Sequence, residues 1–154
     1  MAMMDDKSSV FVDTNILIQA TVKTTPFHEV CARAVSVLWE SESDVWISRQ
    51  ILREYASVLS RPQTYAEPAS PATIASQLRT FIEQFRVADE NEKVTENLLQ
   101  ILETIPIGGK QIHDANIVAT MQTYGAKRLL TLNIKDFTRF VPGIVLLAPD
   151  DLGQ

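Results

Sequence analysis

The feature that most constrains this chain is a regular change of period along it. Short runs rich in β-branched, aromatic and aliphatic residues, at Ser9 to Val12, Val45 to Ile47, Arg86 to Ala88, Arg128 to Leu132 and Ile144 to Leu147, fit strands. Between them lie stretches whose apolar residues recur every three or four positions, the spacing of an amphipathic helix. One such stretch begins at Asn15, and a second spans Pro26 to Trp39 with Phe27, Val30, Cys31, Ala34, Val35 and Leu38 on one face and Pro26 in the first turn. Others span Arg49 to Leu59, Pro71 to Phe85, Asn91 to Ile105, Gln111 to Tyr124 with Gly125 as its cap, and Asn133 to Phe140. Strands joined through helices form a parallel sheet covered on both faces. The expected fold is therefore α/β, in three α/β/α layers, with ligands at the carboxyl ends of the strands.

At 154 residues and 45% hydrophobic, the chain has enough material for one core and no room for a second. We expect a single domain over 1–154, with 1–8 a flexible N-terminus and 149–154 a short C-terminal tail. The proline-rich stretch Arg61 to Pro71 is too short to separate domains and reads as an exposed connection. One cysteine, Cys31, cannot form an internal disulfide, which fits a reducing cytoplasm. Asp5 and Asp6 stand where a secretory signal would be basic, and no apolar run approaches the ~20 residues that span a bilayer, so neither export nor a membrane is expected.

Several chemistries lack their residues. Gly109-Lys110 has Thr104 where the first glycine is needed, five positions before Gly109, and Gln111 after the lysine, so no phosphate-cradling P-loop is present. His28-Glu29 is followed by Ala32 where a zinc protease needs its second histidine. There is no Gly-x-Ser-x-Gly elbow, and one cysteine with two histidines cannot supply a structural zinc site.

Carboxylates remain. Asp13 ends an apolar strand, Glu54 borders the apolar face of its helix, Asp114 shares the stripe of Ile117, Val118 and Met121, and Asp136 follows a strand by one helical turn. Each has an ordinary alternative. Asp13 serves equally as a helix N-cap, Glu54 as a surface partner of Arg53 or Arg61, and Asn133 with Asp136 as a capping box. Asp114 is hardest to dismiss, because an inward carboxylate is expensive without a partner. The segment between Glu103 and Asp150 holds five basic residues, Lys110, Lys127, Arg128, Lys135 and Arg139, against only Asp114 and Asp136, within a chain of net charge −5. A basic rim around inward acids suits a hard cation and a phosphate backbone.

With these residues in view, the chain resembles the PIN-domain nucleases, and among them the VapC-type toxins of toxin–antitoxin pairs. The resemblance spans nearly the whole chain. It rests on Val10 to Leu17 (VFVDTNIL), Ser48 to Leu59 with its Glu54, His113-Asp114-Ala115 through Ala119, and Leu130 to Phe137 (LTLNIKDF). It implies a PIN-like fold in which the acids at Asp13, Glu54 and Asp114, with a fourth carboxylate that here comes from Asp136 or is missing, hold one or two Mg²⁺ or Mn²⁺ ions and hydrolyse RNA through water. Asn15, Thr131 and Asn133 fall at supporting positions. Some relatives carry an acid at the place of Asn133, and many carry a different polar residue at the place of His113.

The resemblance also implies an antitoxin protein as partner and a homodimer. Arg49, Arg53, Lys110, Lys135 and Arg139 are the candidate phosphate contacts. The alternative expectations are a non-catalytic PIN-like module that binds RNA or a partner, and a phosphatase-like domain with Asp13 as nucleophile, against which Asn15 stands where a second aspartate is needed. The metal-dependent expectation requires oxygens from residues 13, 54, 114 and 136 to converge.

Overall fold

The computed structural model describes residues 9–152. Strand β1 (Ser9–Val12) is followed by α1 (Thr14–Thr21), α2 (His28–Glu40), β2 (Asp44–Ser48), α3 (Arg49–Leu59), α4 (Pro71–Gln84) and β3 (Arg86–Ala88). The second half contains α5 (Glu92–Thr104), α6 (Gln111–Tyr124), β4 (Arg128–Leu130), the one-turn α7 (Ile134–Phe137) and β5 (Val145–Leu147). The five strands form one sheet in the order β3-β2-β1-β4-β5, and every pairing is parallel.

The burial pattern explains the layering. Successive side chains of a strand point to opposite faces, yet Val10, Phe11 and Val12 of β1 are all fully buried. Both faces of the central strand are therefore covered by helices. Burying a side chain such as Phe11 completely contributes about 1.5–3 kcal/mol, so the middle of the sheet is its firmest part. Helix α6 is buried along Ala115, Ile117, Val118, Ala119, Thr120 and Met121, and so carries Asp114 at the edge of an otherwise enclosed segment. Gly125, at φ 76°, ends it in the left-handed conformation that a side chain disfavours.

Three local expectations are corrected. Helix α2 begins at His28, after Pro26, because Gln19 of α1 captures the entering chain through the Phe27 amide (2.9 Å) and, by its carbonyl oxygen, His28 Nδ1 (2.8 Å). Strand β4 stops at Leu130, before Leu132: the Thr131 amide still bonds the Leu147 carbonyl oxygen, but its hydroxyl takes the Asn133 amide at 3.0 Å and the chain bends away from the sheet. Asn133 makes no side-chain cap; the Asp136 amide bonds the Asn133 carbonyl oxygen instead, at 3.0 Å. Expected segment 1–8 lies outside the described residues. Of the expected tail, Pro149–Asp151 forms a 3₁₀ turn in which Pro149 is buried and the Ala148 amide bonds Asp151 Oδ2. Among the described residues no helix is long and apolar enough to cross a membrane.

Candidate metal centre

The strand order reverses between β1 and β4: the chain builds outward through β2 and β3 on one side, then returns to add β4 and β5 on the other. The carboxyl ends flanking such a reversal diverge and leave a crevice. Asp13 follows β1 and Thr131 follows β4, so both stand at its mouth.

Asp13 is 6% exposed and gripped from three sides. Its Oδ1 accepts from the Thr14 amide at 2.8 Å, so it does cap α1, while Oδ2 accepts from Thr131 Oγ1 at 2.7 Å and Asn15 Nδ2 at 3.2 Å. Asn15 Oδ1 in turn receives the Leu132 amide, which ties the first turn of α1 to the loop after β4, and Thr131 Oγ1 receives the Asn133 amide within that loop. Burial pushes the Asp13 carboxyl up to about 6 despite the donors of Thr131 and Thr14, and the charge of Glu54 adds to the rise.

Glu54 has neither Arg53 nor Arg61 as its partner. Its Oε2 accepts from Thr14 Oγ1 at 2.7 Å and its Oε1 from Gln50 Nε2 at 2.8 Å. Asp114 is half-buried at the start of α6. It too is pushed up to about 6, first by burial, then by the charges of Asp13, Asp136 and Glu54, with Arg139 pulling the other way.

Asp13, Glu54, Asp114 and Asn133 line one open cavity of about 300 Å³, together with Thr14, Asn15 and Arg61. Asp136 is exposed beside it, in a separate hollow shared with Asn133 and Lys135, and reaches Asp114 through its charge. The tight four-acid cage expected from the sequence is thus replaced by three carboxylates around one cavity with a fourth alongside. Among the described residues, no three histidine, cysteine or acidic groups stand close enough to enclose an ion already. The donor set nevertheless fits a hard divalent cation: it is all oxygen, and its carboxylates oppose one another's ionisation until a positive charge arrives.

The candidate phosphate contacts separate into two groups. Arg49 pairs with Asp89 at 3.0 Å, and Arg53 pairs with Glu90 at 3.0 Å, so both have protein partners on the loop after β3. Lys110 and Lys135 are exposed. Arg139 lies within electrostatic reach of Asp114, and its Nε is buried without a hydrogen-bond partner. Sequence reasoning missed Thr14 and Gln50. Their signal was only positional: Thr14 adjoins Asp13, and Gln50 precedes Glu54 by four residues, one turn up the same helix.

An all-parallel sheet of this order with acids at its switch point is the architecture of a PIN domain. The PIN-domain family profile matches residues 10–141, and the chain belongs to that family. Solved structures agree in fold. A chain of the VapBC2 structure from Rickettsia felis, bound to a DNA fragment from its promoter, is 22% identical with a TM-score of 0.65, covering 91% of this chain and 98% of that one. A chain of the DNA-bound VapBC structure from Salmonella typhimurium is 20% identical at TM-score 0.66, with 92% and 98% covered. VapC20 of Mycobacterium tuberculosis, described as a Sarcin-Ricin loop cleaving toxin, is 20% identical at TM-score 0.59, with 78% and 86% covered. No curated protein sequence matches the chain.

Proposed function

We propose that this PIN-domain protein is an endoribonuclease of the VapC toxin type that depends on Mg²⁺ or Mn²⁺. The observation that carries the proposal is the gathering of Asp13, Glu54 and Asp114 around one cavity at the sheet's switch point. Asp13, Glu54 and Asp114 would hold the ion, with Asp136 at the rim for a second. When bound, such an ion supplies Lewis-acid activation of water and neutralises charge on the phosphoryl group.

The chain's own residues do the rest. Thr14, Thr131 and Asn15 fix the Asp13 oxygens, and Thr14 also holds Glu54, so one threonine sets two carboxylates relative to each other. The cavity is open to solvent and, at about 300 Å³, leaves room for a backbone phosphate. Arg139, and the exposed Lys110 and Lys135, are the cations offered to that backbone. Hydrolysis by water requires no 2′-hydroxyl, so preference for RNA would come from strand shape. An antitoxin protein as partner follows by analogy with the VapBC structures, and a homodimeric state and a cytoplasmic setting complete the proposal.

The test is cleavage of RNA with Mg²⁺ or Mn²⁺ by the wild type, Asp13→Asn and Asp114→Asn. We expect each variant to lose roughly three orders of magnitude, equivalent to about 4 kcal/mol of barrier. Equal rates in all three would overturn the assignment. Salt-sensitive RNA binding without cleavage by the wild type would instead identify a binding module.

A further inference from the structure

Gln50 lies in the first turn of α3 and is 4% exposed, an unusual depth for an amide side chain. All of its hydrogen-bonding groups are in use. Nε2 donates to Glu54 Oε1 at 2.8 Å and to the His113 carbonyl oxygen at 2.9 Å, while Oε1 accepts from Asn116 Nδ2 at 2.7 Å. One amide therefore touches the carboxylate on α3 and the backbone of α6 one residue before Asp114.

The polarity of this contact is imposed from outside the cavity. Arg53 can only donate, and it does so to both oxygens of Glu90, at 3.2 and 3.0 Å. Glu90 Oε1 accepts from Asn116 Nδ2 at 3.2 Å, which fixes which end of the Asn116 amide faces inward. Asn116 then donates to Gln50, and Gln50 is left with its amino group toward Glu54. Were Gln50 turned over, its oxygen would face the Glu54 carboxylate and the His113 carbonyl, two acceptors. The loop bearing Glu90 is itself pinned, because Tyr124 Oη at the far end of α6 bonds both the amide and the carbonyl of Asp89.

We propose that Gln50 is a positioning residue that sets Glu54 against Asp114 for cation binding, through a one-directional relay running Arg53, Glu90, Asn116, Gln50, Glu54. This rests on the metal-dependent function proposed above. It also gives Arg53 a place in the scaffold, distinct from contact with RNA. Outer partners of metal-binding carboxylates are typically worth ten- to hundredfold in affinity or activity.

The experiment is titration of the metal-free full-length chain with Mn²⁺, followed by calorimetry, with melting temperature recorded in parallel. Gln50→Met keeps the shape and removes the donors, and should weaken Mn²⁺ binding by about tenfold or more. Asn116→Asp is the second variant. It adds negative charge near the cavity, which by charge alone would tighten cation binding, but its carboxylate would force the Gln50 amide to turn over. The relay therefore requires weaker binding, about three- to tenfold.

Unchanged affinity in Gln50→Met, or tighter binding in Asn116→Asp, would overturn the relay while leaving the nuclease function standing. A purely structural Gln50 would lower the melting temperature and leave the affinity alone. If Gln50→Met does not fold, Asn116→Asp decides the matter. A wild type that binds no Mn²⁺, or an Asp114→Asn variant that binds it equally well, would remove the nuclease proposal and the relay together.

Discussion

Asp13 and Asp114 face the same cavity from opposite kinds of surroundings. Asp13 is almost completely enclosed and held by an amide, a hydroxyl and a side-chain amide, supplied by the first turn of α1 and the loop after β4. Asp114 is half-buried on the first turn of α6, and what acts on it besides burial is charge: three carboxylates against one arginine. The first wall is organised before any ligand arrives. The second is an excess of charge awaiting one. On the proposed function, a site built this way would keep its geometry on the sheet side and its cation affinity on the helix side.

The largest expected effect bears on the helix side. Mg²⁺ at about 100 times its dissociation constant should stabilise the protein by about 2.7 kcal/mol. For a domain of this size that is roughly 5–10 °C in melting temperature. In Asp114→Asn the shift should shrink severely. A scan of melting temperature against Mg²⁺ with an EDTA control checks both, and an equal shift in the variant would break the comparison.

Next is the sheet side. Thr131→Val preserves shape but removes the donor to Asp13 and the acceptor of the Asn133 amide, inside a site where Thr131 is fully buried. We expect a loss of about 1–3 kcal/mol in urea denaturation. A loss below a few tenths would mean that the loop wall is not organised by this hydroxyl.

A pH effect sharpens the contrast further. Asp13 and Asp114 are raised to about 6 in the folded, metal-free protein, against an ordinary value of 3.8. Between those values the folded state binds more protons than the unfolded one, so stability from these groups falls as pH rises. Their favourable contribution is complete below about 3.8 and is lost as pH passes through about 6. In EDTA the melting temperature should therefore have a component that rises from pH 7 to pH 5, smaller in Asp114→Asn. An identical slope in the two proteins would show that Asp114 does not carry this strain.

The smallest effect is expected at Arg49. Its pair with Asp89 is exposed on both sides, and such pairs contribute about 0–1 kcal/mol. Arg49→Ala should leave RNA cleavage within about threefold, and a much larger loss would restore Arg49 to the substrate surface that its charge alone had indicated.

Much of the fold was legible because burial leaves a periodic trace. The strand at Val10 to Val12 is recognisable since a strand covered on both faces must be apolar at every position, and Gly125 marks the end of α6 because the backbone there turns left-handed. The boundaries that failed did so through side chains reaching across the chain. Gln19 delays α2, and the hydroxyl of Thr131, which also bonds Asp13 118 positions away, takes the Asn133 amide where the chain leaves β4. Among the candidate residues, Asp13, Glu54 and Asp114 were visible as acids on inward-looking positions. Gln50 was not, since a glutamine beside a helix start has many ordinary roles and its partners His113 and Asn116 lie more than sixty residues further on.

By itself the sequence determined the succession of strands and helices, the edge of the sheet where acids accumulate, and the absence of the residues that other hydrolytic chemistries need. These follow from local periodicity and from residue type, both written along the chain. Only the tertiary structure decided which oxygens share the cavity, that Asp136 stands beside it, and that Arg49 and Arg53 are occupied by acids 40 and 37 residues away. Those outcomes depend on hydrogen bonds and charges meeting across the sheet's reversal point, where distance in space bears no fixed relation to distance in sequence.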